Sequence, residues 1–166
     1  MNAIPDTITA DGRTYRLPQP FMVIATQNPI EQAGTYRLPE AQLDRFMLKT
    51  SLGYPDAAST VRILEGTAAT SGTLEPVMRL ETMLEMSDMS RAVFVNPLVL
   101  DYIVRLVEAT RQASQVRMGS SVRGARNLTK VAKAWAAAQG RPFVTPDDVK
   151  ILAEPVLAHS IVLDPE

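Results

Sequence analysis

The sequence predicts a chain in two parts: a mixed α/β unit over residues 1–66 and an all-α four-helix bundle over 77–166, joined by a linker at 67–76. Three observations predict it. Asp11-Gly12 sits between β-favouring residues, a fully apolar run follows at Phe21–Ala25, and beyond Gly66–Pro76 the pattern changes to capped segments with helical spacing.

Thr7-Ile8-Thr9 and Thr14-Tyr15-Arg16-Leu17 flank the Asp-Gly pair. Both positions of so tight a turn need positive φ, which Asp and Gly tolerate, so this is a β-hairpin. Pro18 and Pro20 stop it. Phe21-Met22-Val23-Ile24-Ala25 is apolar at every position, the pattern of a parallel strand covered on both faces. Thr26-Gln27-Asn28-Pro29 would end that strand with polar side chains at its C-terminal edge, where open α/β sheets bind ligands. A short helix over Leu38–Arg45 with proline in its first turn and a further strand over Phe46–Leu52 are expected next. Gly53-Tyr54-Pro55 ends that strand, and Asp56 caps a helix to about Glu65.

The second part reads as four helices. The first, around Val77–Arg91, carries Met83, Met86 and Met89, expected as adaptable core packing. Asn96-Pro97 is an N-cap with a first-turn proline, and Val99, Ile103, Leu106, Val107 and Thr110 keep helical spacing to about Ser114. Ser121 caps a third helix, with Leu128, Val131, Ala132 and Trp135 on one face and Gly140 as its stop near Gln139. Thr145-Pro146-Asp147-Asp148 opens the fourth, with Val149, Leu152 and Ala153 inward until Pro155 disturbs it.

Composition narrows the chemistry. At 46% hydrophobic and 21% charged, the chain has the balance of a soluble globular protein, expected in the cytoplasm. It has no cysteine, so disulfides, thiolate nucleophiles and zinc-thiolate sites are excluded. His159 is the single histidine, which leaves metal sites and Ser-His catalysis without partners. The apolar runs are too short to span a bilayer, and residues 1–16 hold no signal-peptide core. A formal net charge of −1 gives no bulk attraction to nucleic acid or anionic lipid.

Local charge is less even. Arg105, Arg111, Arg117, Arg123, Arg126, Lys130 and Lys133 crowd the third bundle helix and its approach. Arg123, Arg126, Lys130 and Lys133 lie opposite the apolar face, as a solvated stripe would. Arg123 differs in lying in the first turn, where helix amides and a guanidinium can address one phosphate together.

Two long segments then carry a resemblance. "FMVIATQNPIEQAGTYRLPEAQLDRF", Phe21–Phe46, resembles the sensor 1 and arginine-finger stretch of MoxR-type AAA+ ATPases, with "GYPD" following as in that family. "GSSVRGARNLTKVAKAWAAAQGRPFVTPDDVK", Gly119–Lys150, is similar to the family's sensor 2 helix and the start of its last lid helix. The resemblance covers nearly the whole chain. It implies an α/β fragment of an AAA+ core, with pre-sensor-1 hairpin, parallel strands and short helices, followed by the four-helix lid.

Asn28 is then the expected sensor 1, orienting water or touching the γ-phosphate; from local sequence alone it is a turn residue before Pro29. Arg45 is the expected arginine finger, reaching a neighbouring subunit's nucleotide; locally it reads as a helix-end arginine paired with Asp44 or solvent. Arg123 is the expected sensor 2, with Arg126 in reserve, because Val122 stands where the family usually has proline. The chain has no Gly-x-x-x-x-Gly-Lys-Ser/Thr and no strand ending in an Asp-Glu pair, so the resemblance implies that the Walker elements lie upstream of Met1. ATP and Mg²⁺ would serve the full-length protein, and this chain would not hydrolyse ATP alone. Other AAA+ subunits in a hexameric ring and proteins with von Willebrand factor A domains are the implied partners, in a chaperone-like role. Two other readings stay open: a non-catalytic module docking on full-length subunits, and nucleic-acid binding through the basic helix.

Overall fold

Asp11 and Gly12 hold φ of 51° and 75°, closing β1 (Thr7–Ala10) onto β2 (Arg13–Arg16) in an antiparallel hairpin. The computed structural model describes residues 7–27, 39–66 and 74–164. Two short helices follow the hairpin, α1 (Glu40–Leu43) and α2 (Ala57–Leu64). Asp56 caps α2 by accepting the Ser59 amide at 2.7 Å, and that amide holds its carboxyl below the usual range.

The expected order of hairpin, short helices and helical bundle is found, but the parallel strands within it are not formed. The described sheets are two antiparallel pairs, and neither Phe21–Ala25 nor Phe46–Leu52 belongs to one. A parallel strand is held by ladder bonds to neighbours on its edges, and among the described residues these segments have none. Ile24, expected inside, is 79% exposed.

The later part of the chain forms α3 (Leu80–Ala92), α4 (Pro97–Gln112), α5 (Val122–Ala138) and α6 (Pro146–Leu157). The buried core among the described residues comes from α4, α5 and α6 with Val93 and Val144 of the connections, while α3 has no buried residue. Val99, Ile103 and Val107 of α4 meet Leu128, Ala132 and Ala136 of α5 and Val149, Leu152 and Val156 of α6. The last three helices begin where the sequence places their caps. Asn96 accepts the Leu98 amide, Ser121 the Arg123 amide and Thr145 the Asp148 amide. Two minor elements tie the connections together. Phe94 and Phe143 form a parallel bridge, and β3 (Val116–Met118) pairs with β4 (Val162–Leu163) beyond a 3₁₀ turn at Ala158–Ser160.

Three expectations about the helices are corrected. Met83, Met86 and Met89 do not pack in the core; all three are exposed. The side of α3 turned inward carries Ser87 and Ser90, small residues that let it lie close to α5, where Lys133 Nζ donates to the Arg91 carbonyl. Trp135 lies at the margin of the inward face of α5, which is centred instead on Leu128, Ala132 and Ala136. Pro155 does not disturb α6, which continues to Leu157. So near the C-terminal end, proline removes one amide bond without breaking the turns that follow, and Val156 and Leu157 are added to the core.

The start of α6 is its most strongly bonded point. Asp148 closes a capping box with Thr145 and receives both terminal nitrogens of Arg141. Its carboxyl is nearly buried, and the Arg141 guanidinium foremost, with the Thr145 amide and hydroxyl, holds it below the ordinary carboxylate range. A lowered folded-state pKa contributes stability above the unfolded value, lost as pH falls through the folded one. Thermal denaturation should therefore show the wild type losing stability below about pH 4. Asp148→Ala should cost about 2 kcal/mol at neutral pH, from the lost cap and charged hydrogen bonds, and flatten that acid limb.

Candidate functional site

The first turn of α5 is placed by a close crossing of two chain segments. Gly119 runs so near α4 that a Cβ there would lie 2.7 Å from the Arg111 Cα and amide nitrogen. At the crossing the Arg111 Nε donates to the Ser120 carbonyl at 2.8 Å. The Ser120 amide donates to Thr110 Oγ1 at 3.0 Å. Ser120 itself is fully buried, with Ser160 Oγ beside its hydroxyl. Gly124, the third residue of α5, leaves room for Ser120 and Leu157; a methyl there would overlap the Ser120 hydroxyl. The helix entry is thus fixed from both sides.

Ser121 caps α5, Val122 is its first residue and Arg123 its second. The serine cap supplies the entry that a first-turn proline would otherwise favour, so Val122 leaves the helix start where the sequence places it. The Arg123 guanidinium lies 3.6 Å from Asp44 Oδ2, and the Ser121 hydroxyl donates to both oxygens of the same carboxylate at 3.0 and 3.1 Å. Asp44 is 77 positions away in the chain from Ser121 and follows α1 directly. The carboxylate therefore joins the two predicted site segments at one point.

Two further bonds hold the stretch after Asp44. His159 Nε2 lies 3.1 Å from the Phe46 carbonyl, and since a carbonyl only accepts, that nitrogen carries the proton. The Lys49 amide donates to the Pro155 carbonyl at 2.8 Å. His159, given no role by its sequence context, is thus a structural tie between the end of α6 and the segment after α1.

Arg45 is exposed, and among the described residues it forms no ion pair. Of the two local alternatives, Asp44 or solvent, it is solvent that Arg45 meets, because Asp44 is engaged with Ser121 and Arg123. Arg126 is exposed one turn further along α5 and has a partner of its own. Asn28 lies outside the described residues. Asp44 was the residue sequence reasoning missed as part of the site. Its only signal was adjacency to Arg45. With side chains 24% and 43% exposed, the Asp44–Arg123 pair is worth no more than about 1 kcal/mol, so what it fixes is position rather than stability.

Comparison with known proteins gives two family matches. Residues 2–48 match the ATPase family associated with various cellular activities (AAA), and residues 108–166 match the AAA lid domain. The first includes Arg45 and Asp44, the second Ser121, Arg123 and Arg126. The chain is 41% identical to the uncharacterized protein YeaC of Bacillus subtilis, over 96% of this chain and 51% of that one. It is 36% identical to the chaperone MoxR1 of Mycobacterium tuberculosis, over 94% and 44%. A solved structure described as "a putative ATPase" from Cytophaga hutchinsonii superposes with a TM-score of 0.84 at 37% identity, over 96% of this chain and 52% of that one. The chain spans about half the length of these relatives.

Because the Gly119 crossing leaves no space for a methyl against backbone atoms, Gly119→Ala should lower stability by about 1–3 kcal/mol, as overpacking does. Denaturant titration measures it. An alanine variant as stable as the wild type would show that the crossing does not constrain α5.

Proposed function

The chain belongs to the MoxR family of AAA+ ATPases, and from that premise we propose that it supplies the groups that read and complete an ATP site. Arg45 is the arginine finger, Arg123 is sensor 2 with Arg126 in support, and Asn28 is sensor 1. Residues 1–66 then belong to the AAA+ core, 67–76 to a linker and 77–166 to the lid. The observation that carries the reading is the state of Arg45. Its neighbouring carboxylate is taken by Ser121 and Arg123, so its guanidinium stays exposed for a phosphate outside its own segment.

AAA+ ATPases use nucleotide and Mg²⁺. The residues of this chain fit the phosphate end of that pair. Arg123 is cationic and sits in the first turn of a 17-residue helix, where amides and guanidinium favour an anion. They do not fit the ion: among the described residues no three His, Asp or Glu side chains gather to hold a metal, and the sequence contains no P-loop. What these arginines do is electrostatic. An arginine placed on the transferring phosphoryl group stabilises charge that develops in the transition state, an effect of about 10³ to 10⁵ in rate.

An exposed finger acts across a subunit boundary, so the working unit is an oligomeric ring, a hexamer on this reading. Its role is chaperone-like remodelling of partner proteins, those with von Willebrand factor A domains among them, and its setting is the cytoplasm. No helix of the described residues is long and apolar enough to cross a membrane.

In the intact ATPase, Arg45→Ala should lower kcat for ATP hydrolysis by about 10³ while leaving nucleotide affinity unchanged, as loss of a transition-state contact does. Steady-state hydrolysis with a parallel nucleotide-binding titration measures both. Hydrolysis at the wild-type rate would defeat the assignment.

A further inference from the structure

Asp44 stands between the two arginines, and its contacts differ from those of an ordinary surface carboxylate. Among the described residues it does not pair with its chain neighbour Arg45, and instead accepts two hydrogen-bond contacts from the Ser121 hydroxyl and faces Arg123. Ser121 is itself the cap of α5, so the carboxylate is bound to the hydroxyl that defines where the helix begins. The backbone on either side of Arg45 has little freedom. The Arg45 amide donates to the Gln42 carbonyl at 3.1 Å, the Phe46 amide donates to the Leu43 carbonyl at 3.0 Å, and His159 holds the Phe46 carbonyl. Any shift of the first turn of α5 therefore pulls on Asp44, and through it on Arg45.

We infer that Asp44 is a positioning residue that links the placement of Arg45 to the state of Arg123, so that an anion drawing Arg123 away from Asp44 also re-aims Arg45. The inference rests on the assignment of Arg45 and Arg123 above. Arg123 has one carboxylate partner within ion-pair distance among the described residues, and a phosphate group competing for it would leave the Asp44 carboxylate held by the Ser121 hydroxyl without the charge that faces it. In a ring, one subunit's nucleotide state would then reach its neighbour through a single carboxylate.

Asp44→Asn is the informative change. An amide oxygen still accepts from Ser121, so the segment stays docked, while the charge facing Arg123 is gone. In the intact ATPase this variant should lower kcat about tenfold with KM within about twofold, and bring the Hill coefficient for ATP to about 1. Asp44→Glu keeps the charge and should recover at least about half the rate, which also guards against an Asn variant that fails to fold. Wild-type kcat and cooperativity in Asp44→Asn, or a Glu variant as slow as the Asn variant, would overturn the inference. Undiminished hydrolysis in Arg45→Ala would instead overturn the underlying assignment.

Discussion

The crossing of Gly119–Ser121 over the end of α4 is the constraint on which the rest of the arrangement depends. Two backbone segments approach closely there because position 119 has no Cβ. The polar groups buried by that approach are paired with one another: Arg111 with the Ser120 carbonyl, Thr110 with the Ser120 amide. Buried polar groups without partners would each cost about 1–3 kcal/mol, so the contact is favourable only in the register that satisfies both. That register fixes where α5 starts, and the start of α5 fixes Ser121 and Arg123.

From the same point the constraint spreads to both ends of the chain. Ser160 approaches Ser120, and β4 pairs with β3 just before the crossing, so residues after α6 fold back onto the connection between α4 and α5. Gly124 gives Leu157 room against the first turn of α5. On the other side, Asp44, Phe46 and Lys49 dock the segment after α1 onto Ser121, His159 and Pro155. The apolar core supplies the bulk of the stabilisation; these polar contacts decide which surface groups come together on it. The proposed ATP-reading role would need that kind of support, since the rate effect of an arginine depends on where it is held rather than on its charge alone.

Much of this was legible in the sequence, for local reasons. Asn96-Pro97, Ser121 and Thr145-Pro146 each announce a helix start because a side-chain oxygen beside the first amides is a short-range interaction, and all three act as read. Asp11-Gly12 announces the hairpin for the same kind of reason. Two of the misreadings are of longer range and one is a matter of position within a helix. Phe21–Ala25 has the composition of a buried parallel strand, but ladder bonds come from other strands. Met83, Met86 and Met89 have helical spacing, but which side of α3 turns inward was decided by the close fit of Ser87 and Ser90 near α5. Pro155 was read by its rule for helix interiors, yet near a helix end it leaves the last turn intact.

The candidate site divides along the same line. The sequence by itself determined the family resemblance, the caps, the identity of Arg45 and Arg123 as the arginines of interest, and the absence of a phosphate-cradling motif in these residues. Only the tertiary structure decided that Asp44 turns from Arg45 to Arg123, that His159 ties Phe46 to the end of α6, and that glycine at 119 sets the start of α5. The physical reason is that a cap or a turn is settled among residues a few positions apart. The partner of a carboxylate is settled by whichever donors the folded chain delivers to it, here from 77 positions away.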